Sequence, residues 1–195
     1  LTGQDAKKSL KTATKNVSKY FLDPAANTGL LDEAVTALES SFNAPEVNAD
    51  PEAWNLKGQT YNEISLAEIN TRIIDPNYKF KKVDASLKAM ESFKKGMELA
   101  LKKYHTKDAL NGIIECENNL NNTGIFLFQE QNYNDAYKFF EATLKAKDIL
   151  NSNGEKSRLE DATVYNEQLF YTGVCGYYGD SPELSFPHFE KLSTK

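Results

Sequence analysis

The chain has 195 residues, of which 40% are hydrophobic, 11% aromatic and 26% charged. That is enough apolar surface to offset the entropy of ordering, which excludes a globally disordered chain. A net charge of −5 repels polyanions, so nucleic acid is excluded as a general partner. No apolar run approaches the roughly 18 residues that cross a bilayer as a helix, so no membrane span is expected.

In chain order, Leu1 to Asp5 match the trimmed end of a secretory signal, a small residue followed by Gln and Asp. This places the chain in an exported or periplasmic compartment; with no apolar signal core present, a cytoplasmic location is the alternative. Strand signals are nearly absent, and apolar residues recur at three- and four-residue steps instead. The fold class expected is all-α. Turn residues near Asp23-Pro24, Ala44 to Asp50, Asp75-Pro76, His105-Thr106, Asn132, Asn151 to Gly154 and Gly179 to Pro182 divide the chain into about eight helices. These are predicted over 4–21, 28–43, 51–72, 78–104, 107–130, 133–151, 157–178 and 182–194. The clearest apolar stripe is Val83, Leu87, Met90, Phe93, Met97, Leu101 and Tyr104, which occupies one helix face. Short polar turns force consecutive helices to pack antiparallel, giving a single domain over 1–195. Its four hairpins are expected at 4–43, 51–104, 107–151 and 157–194.

The hairpins repeat a pattern. Gly124 is followed by Ala136 twelve residues later and by Phe140 sixteen later, and Gly173 by Ser185 and Phe189 at the same offsets. Two small residues let the helix axes cross closely, and the aromatic fills the space beside them. The second hairpin has Trp54-x-x-Lys57-Gly58-x-x-Tyr61, with Ala89 and Phe93 on its second helix. This resembles the tetratricopeptide repeat, W-x-x-L-G-x-x-Y followed by A-x-x-x-F. Lys57 stands where that family prefers Leu, and Gly58 to Ala89 is 31 residues rather than twelve. The first hairpin offers only Ala34 and Leu38 at the second-helix sites and reads as an N-terminal cap.

The resemblance implies a right-handed α-solenoid, with the first helices of successive hairpins lining a concave groove for a protein or peptide. Matching the motif puts Asn55, Gln59 and Asn62, then Asn121, Ile125 and Phe128, then Phe170, Val174 and Tyr177 on that surface. The groove would run from amide-rich to aromatic. It lacks the basic residues with which the family clamps a C-terminal carboxylate. An array of this kind continues or is sealed after its last second helix, so Lys195 reads as the end of a fragment of a longer protein.

Chemistry finds no foothold. His105 and His188 have no Ser, Cys or Asp in a triad arrangement, Cys116 and Cys175 lack metal-ligand spacing, and no Gly-rich phosphate loop occurs. No catalytic residue, metal or cofactor is expected. Eight lysines between Lys79 and Lys103 stand against three acids, a local charge of +5. Because the stripe on that helix carries Phe93 of the repeat, the lysines read as its solvated face. The function expected is a protein-interaction scaffold. The competing reading is a non-catalytic regulatory or substrate-holding part of a larger enzyme or envelope assembly.

Overall fold

The computed structural model describes residues 3–194; Leu1 and Thr2 of the signal-end reading, and Lys195, lie outside them. All regular structure among the described residues is helical. The helices are α1 (Gly3–Leu22), α2 (Leu30–Ser41), α3 (Pro45–Asn48), α4 (Pro51–Ile74), α5 (Ala85–Glu98), α6 (Lys103–Gln129), α7 (Tyr133–Ser152), α8 (Ala162–Tyr178) and α9 (Phe186–Ser193). Short 3-10 turns at Arg158–Glu160 and Pro182–Ser185 precede the last two. The chain divides into two compact units, Leu1–Gly112 and Ile113–Lys195.

In the first unit α1 packs on α2 and α4 on α5. Alanines at the α1–α2 contact, Ala6, Ala13 and Ala34, are fully buried and bring the two backbones close. Phe42 meets Trp54 edge to face with ring centroids 4.5 Å apart, and the Trp54 indole N–H donates to the Asn48 carbonyl at 2.9 Å. Lys57 is no defect in this layer. Its stem covers Phe42 and Trp54, with Nζ 4.6 Å from the Phe42 centroid, and the ammonium reaches Glu39 at 3.1 Å.

Several departures from the expected helices fall in this unit: α3 stands within the turn expected at 44–50, and α6 begins at Lys103, so His105-Thr106 is helix and not a break. The predicted helix 78–104 begins only at Ala85 and stops at Glu98. Upstream, the buried Glu68 carboxylate accepts the backbone N–H groups of Lys81 and Lys82 at 3.0 and 3.1 Å and the Tyr78 hydroxyl at 3.3 Å. The Arg72 guanidinium donates to the Tyr78 carbonyl. Backbone donors spent on a side chain cannot join a helix, so residues 75–84 form a pinned loop. Downstream, the Leu101 N–H goes to His105 Nδ1 at 3.2 Å and the Leu101 side chain is exposed. Only Leu87 to Met97 of the apolar stripe are therefore packed. Glu68→Ala should cost the loop about 1.5 kcal/mol, raising amide exchange at Lys81 and Lys82 about ten-fold, as read by hydrogen-exchange mass spectrometry.

The lysine cluster is substantially paired. Lys82 bonds Asp32, Lys88 bonds Asp84 at 2.9 Å and Lys95 bonds Glu98 at 2.9 Å. These exposed pairs add little stability, and only Asp32 lowers the local charge of +5, in which Asp84 and Glu98 are already counted.

The second unit contains residues 113–129 of α6 followed by α7, α8 and α9. The α6–α7 turn places Gln131 at φ 60°, and the α7 end places Gly154 at φ 77°; in each case the next N–H returns to a helix carbonyl, Asn132 to Leu127 and Glu155 to Leu150, both at 2.9 Å. The buried Glu117 carboxylate accepts the Ser157 hydroxyl and the Arg158 N–H, so the 3-10 turn that leads into α8 is moored to α6. That mooring shortens the predicted helix 157–178 to 162–178.

The repeated small-residue and aromatic contact is present in three hairpins. A side-chain carbon built on Gly58 would lie 2.6 Å from the Phe93 ring, on Gly124 2.7 Å from Phe140, and on Gly173 2.6 Å from Phe189. Ala89, Ala136 and Ser185, the second small residues, are buried. Glycine at the crossing and phenylalanine across from it are thus one structural unit used three times.

Candidate functional site

Helix α8 faces two ways. Its N-terminus is capped by Asp161, whose carboxylate accepts the N–H groups of Thr163 and Val164 at 2.9 and 3.1 Å. Leu169, Thr172, Gly173, Cys175 and Gly176 turn inward and are buried. The opposite stripe, at steps of three and four, is Glu167, Phe170, Tyr171, Val174, Tyr177 and Tyr178. Four of its rings stay in solvent although they sit on a well-anchored helix: Phe170 is 52% exposed, Tyr171 38%, Tyr177 59% and Tyr178 64%.

These rings form a connected row. Tyr171 meets Phe170 at 5.9 Å and Phe128 at 5.2 Å between centroids; Phe128 meets Tyr133 at 5.6 Å; Tyr133 meets Tyr178 at 5.5 Å; and Tyr178 meets Tyr177 at 5.2 Å. Most contacts are edge to face, the geometry that ring quadrupoles favour. Tyr171 also lies over the buried Phe140 at 6.0 Å, which ties the row to the core of its unit. Such side chains are held nearly in place before any ligand arrives.

The nine residues expected on a groove are distributed unevenly. Asn55, Gln59 and Asn62 belong to the first unit and the other six to the second. Gln59 is exposed. Asn55 is half-buried, and its Nδ2 donates to the His105 carbonyl at 2.9 Å, which commits the amide internally. Asn62 is 2% exposed and Asn121 8%, so neither lies on an open surface. Helical phase does not separate them from the aromatics, since Phe170 and Tyr177 stand three before and four after Gly173, the same places that Asn121 and Asn62 hold about their glycines; neighbouring chain covers this stripe on α4 and α6 and leaves it open on α8. Ile125, Phe128 and Val174 are half-buried, and Phe170 and Tyr177 are exposed. Phe128, Phe170 and Tyr177 are brought together through Tyr171, Tyr133 and Tyr178, which the motif did not point to. The signal for two of these was in α8 itself, where aromatics occupy i, i+1, i+7 and i+8 of one face.

Other polar groups are structural. Glu52 accepts the Tyr104 hydroxyl at 2.5 Å and lies 3.3 Å from His105 Nε2; the Tyr104 bond first, and His105 after it, hold its carboxyl below the usual range. Because His105 Nδ1 accepts from Leu101, Nε2 carries the proton, and no nucleophile completes the group. Burial pushes the Cys175 thiol up to about 12, which leaves it an inert thiol at neutral pH. A cleft of about 520 Å³ beside it is lined by Asn134, Tyr137, Lys138, Cys175, Gly176 and Asp180. Among the described residues no three His, Cys, Asp or Glu side chains are grouped to hold a metal ion, and no helix is long and apolar enough to cross a membrane.

Comparison with known proteins adds no relative: no family model matches the chain, and no curated protein matches it at a significant level.

Proposed function

We propose that this chain is a non-catalytic protein-interaction scaffold of the tetratricopeptide type, a right-handed array of helical hairpins that captures a protein or peptide on aromatic side chains of its second unit. The observation that carries this reading is the row of exposed, mutually packed rings on α8. A large apolar side chain left in water forgoes roughly 1.5–3 kcal/mol of burial, so four on one stripe mark a surface meant to be covered. Rigid aromatics also dominate interface energetics because little rotamer freedom is lost on binding. The threefold use of the glycine–phenylalanine crossing supports the repeat assignment, and the aromatic set supports peptide capture without a carboxylate clamp.

The test is a pull-down from the native source with the wild-type chain and with Phe170→Ala/Tyr177→Ala. Both side chains are more than half exposed, so helical content and Tm should be unchanged to within about 0.5 kcal/mol of stability. The bands retained by the wild type should disappear from the variant. Equal retention by a variant that is folded overturns the reading.

A further inference from the structure

Resting on that reading, we infer that the α8 face recognises a cationic segment, an extended peptide bearing arginine or lysine side chains that lie over the rings. The first ground is the distribution of charge. Residues 113–195 carry seven Lys or Arg against thirteen Asp or Glu, a net charge of −6, whereas residues 1–112 carry sixteen against fifteen. The whole negative charge of the chain thus belongs to the second unit. Within it, from Leu159 to Glu190, there are six carboxylates and no Lys or Arg at all.

The second ground is where those acids lie. Glu167 is on the same stripe one turn before Phe170 and Tyr171, and it is exposed. Asp180 follows Tyr177 and Tyr178 directly, its carboxylate held by the Asn134 amide. The row thus has a carboxylate at each end, with Glu167 near enough to the half-buried Arg158 to interact with it. The C-terminus of α8, whose carbonyls carry partial negative charge, points toward the same place.

The third ground is the surface between these carboxylates. Ring faces are negative in their quadrupole and attract guanidinium and ammonium groups, arginine most strongly because it also stacks. From Glu167 to Tyr178 the helix rises about 16 Å, the reach of roughly five residues of extended chain. An anionic partner would meet repulsion along the whole face, and a wholly apolar one would leave Glu167 and Asp180 to be desolvated without compensation. A cationic peptide satisfies both the rings and the acids.

The decisive experiment is selection of a random dodecapeptide display library on the immobilised full chain at physiological salt, with each selected peptide re-tested against Phe170→Leu/Tyr177→Leu. This substitution keeps apolar bulk and net charge but removes two of the four exposed rings, one at each end of the row. Enrichment of Arg or Lys, with binding at least about ten-fold weaker to the variant, is the expected result. Neutral or acidic peptides that still depend on Phe170 and Tyr177 overturn the cationic assignment and leave the scaffold reading standing. Cationic peptides that bind wild type and variant equally also overturn it, because they show attraction to an acidic unit without use of the rings. Peptides of no common charge that ignore the substitution, or an empty selection, overturn the cationic assignment, and the pull-down with Phe170→Ala/Tyr177→Ala then decides the scaffold reading. Retardation of the wild type but not the variant in gels containing a soluble β-glucan assigns the face to carbohydrate and overturns the peptide.

Discussion

Gly58→Ala should destabilise the first unit by about 2 kcal/mol, although on an open helix the same change stabilises by about 1 kcal/mol. The inversion of sign comes from Phe93. Its ring lies against two glycines: a side-chain carbon on Gly58 would stand 2.6 Å from it, and one on Gly112 closer still. A ring flanked by both α4 and α6 cannot step aside, so the added methyl group must push a helix away. Gly112→Ala should behave in the same way. Gly29 provides the contrast, since nothing lies within 4 Å of a side chain there, and Gly29→Ala should stay within about 0.5 kcal/mol of the wild type. Urea unfolding of the four proteins measures the differences. Shrinking the ring tests the cause: in Gly58→Ala/Phe93→Leu the two costs should be less than additive by about 1 kcal/mol, as a shared contact requires. Full additivity would place the effect of Gly58 elsewhere.

Glu117→Ala should cost the second unit about 3 kcal/mol, by leaving two donors without their acceptor. The carboxylate is 1% exposed and takes the Ser157 hydroxyl on one oxygen and the Arg158 N–H, at 2.9 Å, on the other. Burial pushes its pKa above the usual 4.5; the Ser157 and Arg158 bonds oppose that without cancelling it. An acid whose pKa is raised on folding binds its proton more tightly in the native state. Its contribution to stability is therefore full below pH 4.5 and declines as the pH climbs from there through the raised value. Glu117→Gln removes the titration while keeping the side chain's shape. The difference in unfolding free energy between wild type and Glu117→Gln should accordingly shift in favour of the variant as the pH rises through that window. A difference that stays constant between pH 4 and 8 would show that Glu117 titrates alike in both states.

What could be read from the sequence divides by the range of the interactions. The helical class and most boundaries are local, because capping by Asn132, the turn at Asn151 to Gly154 and the three-four spacing all act within a few residues. The glycine–phenylalanine crossings were legible for a related reason, since a repeated offset records a tertiary contact in one dimension. The helix predicted over 78–104 failed where a distant group intervened. Glu68 takes the N–H groups of Lys81 and Lys82 from thirteen and fourteen residues away, and no local pattern announces that. The shortened start of α8 has the same origin in Glu117, forty residues before Ser157.

Motif matching named Phe128, Phe170 and Tyr177, which the structure joins in one row of rings, and with them Asn62 and Asn121, which it buries. The motif gives all of these residues equivalent places about their glycines, and what buries the two amides is the neighbouring chain packed over them, which a motif does not record. Tyr133, Tyr171 and Tyr178 were passed over because their value lies in ring-to-ring contacts across three helices.

The two-sidedness of α8 has a consequence for how this molecule can change over evolutionary time. Residues that decide whether the hairpin closes, Gly173 and Gly176 among them, occupy one side, while Phe170, Val174 and Tyr177 on the other make few contacts on which folding depends. Mutations on the outer side can accumulate with little stability penalty. On the proposed function, new specificities are open to neutral drift along one stripe of a single helix, so that relatives of this chain would diverge in their outer stripe long before they diverged in how they fold.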